Sequence, residues 1–118
     1  QEECLEAASN LVRQAAAYID ECYFEPLTLS GLAEKYHVDN SYFSRIFRKE
    51  MGENLIHYLT RTRIEKAKEH IAKGDMNLAE VAFMVGYDDY TYFNKVFRKI
   101  TGVSPREYKQ NLGKKEGI

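Results

Sequence analysis

Apolar residues recur at three- and four-residue steps along almost the whole chain, and no stretch alternates apolar with polar as a half-buried strand would. The pattern predicts an all-α fold of about seven helices. A first helix runs from about Asn10 to Tyr23, with Val12, Ala15, Ala16, Ile19 and Tyr23 on one face and Pro26 as its stop. A short helix from Leu29 to Tyr36 follows, capped by Thr28; Asp39 then caps a helix from Asn40 to Met51, and Gly52 supplies its left-handed terminator. A longer helix, Leu55 to Lys73, ends at Gly74. Asn77 and Glu80 have capping-box spacing before a short apolar helix that ends at Gly86, and Asp88 caps a helix running to Gly102. Ser104, Pro105 and Glu107 open a last helix of about residues 104–112, with proline where the missing N–H costs nothing.

The pattern repeats. Tyr42, Phe43, Phe47, Arg48, Lys49 and Gly52 return 50 residues later as Tyr92, Phe93, Phe97, Arg98, Lys99 and Gly102, and Tyr58 returns as Tyr108. Upstream the offset is 49, matching Leu29, Leu32, Ala33 and Tyr36 to Leu78, Val81, Ala82 and Val85. The second copy therefore carries one extra residue just after its cap. Each copy reads as short helix, tight turn, longer helix, a helix-turn-helix, over about residues 28–52 and 77–102, with a connecting helix of about 54–73 between them.

With Phe43, Ile46 and Phe47 facing a core, helical spacing turns Ser41, Ser44, Arg45 and Arg48 outward. The second copy buries Phe93, Val96, Phe97 and Ile100 and turns out Thr91, Asn94, Lys95 and Arg98. Any amphipathic helix has a polar face, so one stripe alone says little. Two copies of a basic, hydroxyl-bearing stripe on the same supersecondary unit suit the DNA major groove, where arginine or lysine reads guanine, asparagine reads adenine, and serine or threonine serves either. Glu50 is the one acid read beside the first stripe. The 19-residue connector spans about 29 Å at 1.5 Å per residue. One duplex turn is about 34 Å, so two reading helices at its ends would meet successive groove segments.

Charge first argues against this, since the total is −1. Its distribution removes the objection: residues 1–25 hold six acids and one base, a balance of −5, while the rest of the chain balances at +4. The acidity belongs to the first helix and its lead-in, residues 1–9, which read as a docking surface for an upstream segment or for RNA polymerase.

At 118 residues the chain is one domain or two very small ones. Its longest apolar run, Val81 to Val85, is far short of the roughly 20 residues that cross a bilayer, so no membrane partner is expected. Cys4 and Cys22 do not make a disulfide scaffold, and without a signal peptide the expected location is cytoplasmic. His37, His57 and His70 do not cluster with the cysteines as metal ligands, so neither metal nor cofactor is expected. No constellation of carboxylates, thiols or histidines offers a nucleophile, which argues against an enzyme. A helical protein-interaction module that kept the fold and lost DNA contact is the alternative. Lys109, Lys114 and Lys115 read as a basic tail, and Gln1 in place of methionine reads as a piece of a longer protein.

Three segments carry a family resemblance: Tyr42-Phe43-Ser44-Arg45-Ile46-Phe47-Arg48-Lys49; Tyr58-Leu59 with Arg63-Ile64 and Ala67-Lys68; and Gly86-Tyr87 through Tyr92-Phe93, Phe97-Arg98-Lys99, Gly102, Ser104-Pro105 and Tyr108. Together they resemble the DNA-binding domain of AraC/XylS-type transcription regulators over about residues 10–110, most closely the output domains of response regulators. The resemblance implies a domain of residues 10–112 followed by a tail of 113–118, bound to double-stranded promoter DNA and joined to a sensor or receiver domain upstream. It implies base reading by Ser41, Ser44 and Arg45 in the first unit and by Tyr90, Thr91, Asn94 and Lys95 in the second. Backbone phosphates would fall to Arg48, Lys49, Arg98 and Lys99, and to the helix starts at Asn54 and Ser104.

Overall fold

The computed structural model describes the backbone of residues 2–116 and the side chains of residues 5–113. Seven helices follow one another: α1 (Glu2–Cys22), α2 (Leu29–Lys35), α3 (Asn40–Met51), α4 (Leu55–Lys73), α5 (Leu78–Met84), α6 (Tyr90–Thr101) and α7 (Pro105–Glu116). Two units divide the chain, Gln1–Thr62 and Arg63–Ile118, and α4 runs unbroken through the boundary.

In the first unit α1, α2, α3 and the start of α4 enclose Val12, Ala15, Ile19, Leu32, Ala33, Phe43, Phe47, Leu55 and Leu59. A row of aromatic contacts crosses it, from Tyr36 to Phe43, Phe47 and Tyr58, with ring centroids 6.2, 6.2 and 5.6 Å apart. Burying each phenylalanine contributes about 1.5–3 kcal/mol. The Tyr58 hydroxyl donates to the Asp20 carboxylate at 2.9 Å, tying α4 to α1. Burial and that carboxylate push the Tyr58 phenol up to about 12. The second unit repeats the row as Phe93, Phe97 and Tyr108, at 5.7 and 5.6 Å, and buries Ile64, Ala67, Val81, Ala82 and Val85 as well.

The caps read from the sequence for α2, α3 and α5 are present. Thr28 Oγ1 accepts from the Gly31 N–H at 3.0 Å, and a Cβ on Gly31 would stand 3.0 Å from that same oxygen, so glycine leaves room for the cap. Asp39 accepts from the N–H groups of Ser41 and Tyr42, and Asn77 and Glu80 close a reciprocal capping box. Gly52 and Gly102 end their helices at φ 78° and 88°.

The ends of α1, α2 and α5 fall one or two residues short of the Tyr23, Tyr36 and Gly86 read from the sequence, and three further differences have physical causes. The helix expected from Asn10 begins at Glu2, because residues 2–9 are mostly good helix formers and Ser9 Oγ donates to Glu50 of α3 at 3.0 Å. The cap of α6 is Asp89, not Asp88; its carboxylate accepts from Thr91 N–H at 2.9 Å, and Asp88 is the extra residue of the second unit, inserted before the cap. Residues 113–116, expected as tail, continue α7. The side chains of Cys4, Lys114 and Lys115 lie outside the described residues.

Candidate nucleic-acid interface

Each polar stripe is built on a turn that sets two helices at an angle. After α2 the Val38 N–H reaches back to the Ala33 carbonyl at 2.9 Å, and after α5 the Tyr87 N–H reaches the Ala82 carbonyl at 2.9 Å. The residue that allows the reversal is His37 at φ 58° in one unit and Gly86 at φ 107° in the other. Phe43 and Phe47, or Phe93 and Phe97, then pin the second helix by its apolar side with no exposure. What remains outward is set by the 3.6-residue period.

Ser41, Arg45 and Arg48 are exposed on α3 with Ser44 half-buried between them; Thr91, Lys95 and Arg98 are exposed on α6 with Asn94 half-buried in the same place. The structure thus brings the two stripes out at equivalent positions in their units. Tyr90, at the first position of α6, is half-buried, its ring 6.0 Å from Phe93. Lys49 departs from the grouping. It is exposed but lines a cleft of about 550 Å³ with Leu5, Ser9, Tyr42, Ile46 and Glu50, on the side of α3 toward α1. Lys99 is exposed beside Arg98.

The electrostatics of the stripes are shaped by where the acids go. The Glu50 carboxylate is drawn toward α1, where it accepts from Ser9 and lies 3.7 Å from Arg13 Nε. Asp39 and Asp89 stand immediately before the stripes, yet both spend their charge on helix N–H groups. Glu107 pairs with the start of α7: the Ser104 N–H donates to it at 3.2 Å, its own N–H donates to Ser104 Oγ at 3.1 Å, and Arg98 lies 3.9 Å away. Those bonds with Ser104, and Arg98 after them, hold its carboxyl below the usual range. At the start of α4 the Asn54 Oδ1 accepts from the His57 N–H at 2.8 Å. The Asn54 and Ser104 side chains are therefore committed as caps, and what either helix start offers a phosphate is its remaining N–H groups. Glu53, one residue before Asn54, is held low by the Arg61 guanidinium and by His57.

Two features escaped the sequence reading. The Arg45 guanidinium lies 5.6 Å from the centroid of the Tyr42 ring, so an exposed tyrosine of α3 lies alongside the arginine of the stripe. Its i, i+3 spacing was the available signal. In the second unit Arg106 and Lys109 of α7 flank Tyr90 along an open cleft, whereas Lys109 had read as tail. No group of three or more potential metal-ligating side chains occurs among the described residues.

A family model described as a helix-turn-helix domain matches residues 32–111. The arabinose operon regulatory protein of Escherichia coli K12 is 33% identical over 107 residues, 90% of this chain and 37% of that protein. The C-terminal domain of AraT, a response regulator from Geobacillus stearothermophilus, is similar with a TM-score of 0.83 and 39% identity, covering 86% of this chain and 84% of that one. The DNA-binding domain of AdpA, a global transcriptional factor solved in complex with a target DNA, shares the fold at a TM-score of 0.81 and 24% identity, covering 85% of this chain and 90% of that one. The chain spans about a third to two-fifths of the length of the curated relatives it matches.

Proposed function

The chain belongs to the AraC-type helix-turn-helix family and is a DNA-binding domain of a bacterial transcription regulator; from that premise we propose that α3 and α6 are its two reading helices, laid in successive major-groove segments of promoter DNA. The observation that carries this reading is the matched exposure of the two stripes over their buried phenylalanines. Ser41, Ser44 and Arg45 read one segment, and Tyr90, Thr91, Asn94 and Lys95 read the other. Arg48, Arg98 and Lys99, with the helix starts at Asn54 and Ser104, hold the backbone; Lys49, turned toward α1, stands apart from them. Arg98 reaches a phosphate by loosening its contact with Glu107, an exposed and solvent-screened pair.

On this reading the domain binds and does not catalyse, and it works in the cytoplasm where the promoter lies. AraT is a response regulator; a receiver or other sensor domain upstream in the same chain is the corresponding partner proposed here, with α1 and its acids as the surface that meets that domain or RNA polymerase. An apolar protein-interaction module is separated by salt. Binding through several phosphates should weaken by orders of magnitude between about 50 and 200 mM salt, while an apolar interface barely responds. Arg98→Ala should weaken binding to every duplex alike and lower the salt slope by about 1. Salt-independent binding, or an Arg98→Ala loss confined to one sequence, would contradict the assignment.

A further inference from the structure

An open cleft of about 660 Å³ lies beside the first turn of α6, lined by Asn77, Leu78 and Ala79 of α5, Tyr90 of α6, and Arg106, Lys109 and Gln110 of α7. Arg106 and Lys109 are three residues apart, so they project from one side of α7 and converge on the same opening. Both are exposed, and neither is held by a carboxylate among the described residues. Arg98, by contrast, already has Glu107.

The internal repeat supplies a control. The 50-residue offset that matches Tyr58 to Tyr108 sets Arg106 against Ile56 and Lys109 against Leu59, which is 4% exposed. The fold therefore needs no cation at either position; the first unit is built with isoleucine and leucine there. Two unpaired cations facing one opening repel each other in the absence of an anion, and that arrangement gains only when an anion enters. Tyr90 sets the direction from which the anion comes, since its ring is fixed against Phe93 at the very end of α6 that would enter the groove.

We infer that this cleft seats backbone phosphates of the bound duplex, on the strand that flanks the segment read by α6. The inference rests on the DNA-binding reading above and adds a contact that the first unit lacks. Arg106 supplies a planar fork that can take two phosphate oxygens, and Lys109 a point charge beside it. The second unit is thereby anchored more firmly than the first, and its salt dependence is steeper.

The test uses the whole chain and two probes: a duplex recovered by selection from a random pool, and a scrambled duplex of the same length. Arg106→Gln and Lys109→Gln should each weaken binding to both probes by a similar factor and reduce the salt slope by about 0.9, while Arg106→Lys keeps most of the affinity. The double variant should lose about 1.8 from the slope, with the base preference intact and an unchanged thermal melt. If the wild-type chain binds both probes and the double variant keeps the same affinity and slope, the cleft is not a phosphate seat. A loss confined to the selected probe would equally overturn it, by making these side chains base readers. If the wild-type chain binds neither probe, it is the DNA reading itself that fails.

Discussion

His37 is the one non-glycine residue among those described with a positive φ, at 58°, and its counterpart in the second unit is Gly86. A side chain in the left-handed region costs roughly 1–2 kcal/mol against a relaxed backbone. The cost is masked in the sequence, where histidine gives no sign of a turn while glycine does. Replacing His37 with glycine should therefore stabilise the domain by about 1 kcal/mol and raise Tm by several degrees in a thermal melt; an unchanged or lower Tm would refute the strain. Tyr42 acts at the same scale. Its ring beside Arg45 narrows the arginine's choices, and an exposed cation–π contact is worth about 0.5–1 kcal/mol. Tyr42→Ala should relax discrimination at the base read by Arg45 about two- to fivefold, and Tyr42→Phe should preserve it, as measured by competition among single-base variants of a selected duplex.

At the scale of elements, what the sequence made legible was whatever a short-range rule governs. The bounds of α3 and α4 were readable because Asp39, Gly52 and Gly74 act within a turn of the residues they cap. The start of α1 was not, because a lead-in of helix formers has no stop signal and its contact with Glu50 is 41 residues distant in sequence. The choice between Asp88 and Asp89 was legible only through the repeat, whose 50-residue offset sets the cap Asp39 against Asp89, the side chain that meets the Thr91 N–H. The capping pair of α7 makes a pH prediction. Glu107 is held below the ordinary carboxylate range, so its contribution to stability is present above that range and is lost as pH falls from there through its lowered folded-state value. In Glu107→Gln, denaturant midpoints at neutral and acid pH should differ less than in the wild type; an undiminished difference would show that the cap carries none of the acid sensitivity.

Taken whole, the molecule holds two copies of one device, and the 50-residue repeat of identical residues is enough to show it. Which residues face outward was legible because a 3.6-residue period over buried phenylalanines leaves little choice. Which of them cooperate was not: Lys49 belongs to the α1 side of α3, and Arg106 shares a cleft with Tyr90 across two helices of the second unit. The net charge of −1 likewise misleads until the acids are placed. The excess of acid over base lies in residues 1–25, and the one acid read beside the first stripe, Glu50, is drawn to Ser9 and Arg13 of α1. The claim on which all of this turns is that α3 and α6 each read bases. Its direct measurement is the base preference, position by position, of the wild-type chain, Arg45→Ala and Lys95→Ala against duplexes selected from a random pool. Each variant should flatten preference in a different half of the site, by about 1–3 kcal/mol at the affected base, the halves lying about 10 base pairs apart. Preference profiles that match the wild type in both variants would contradict it.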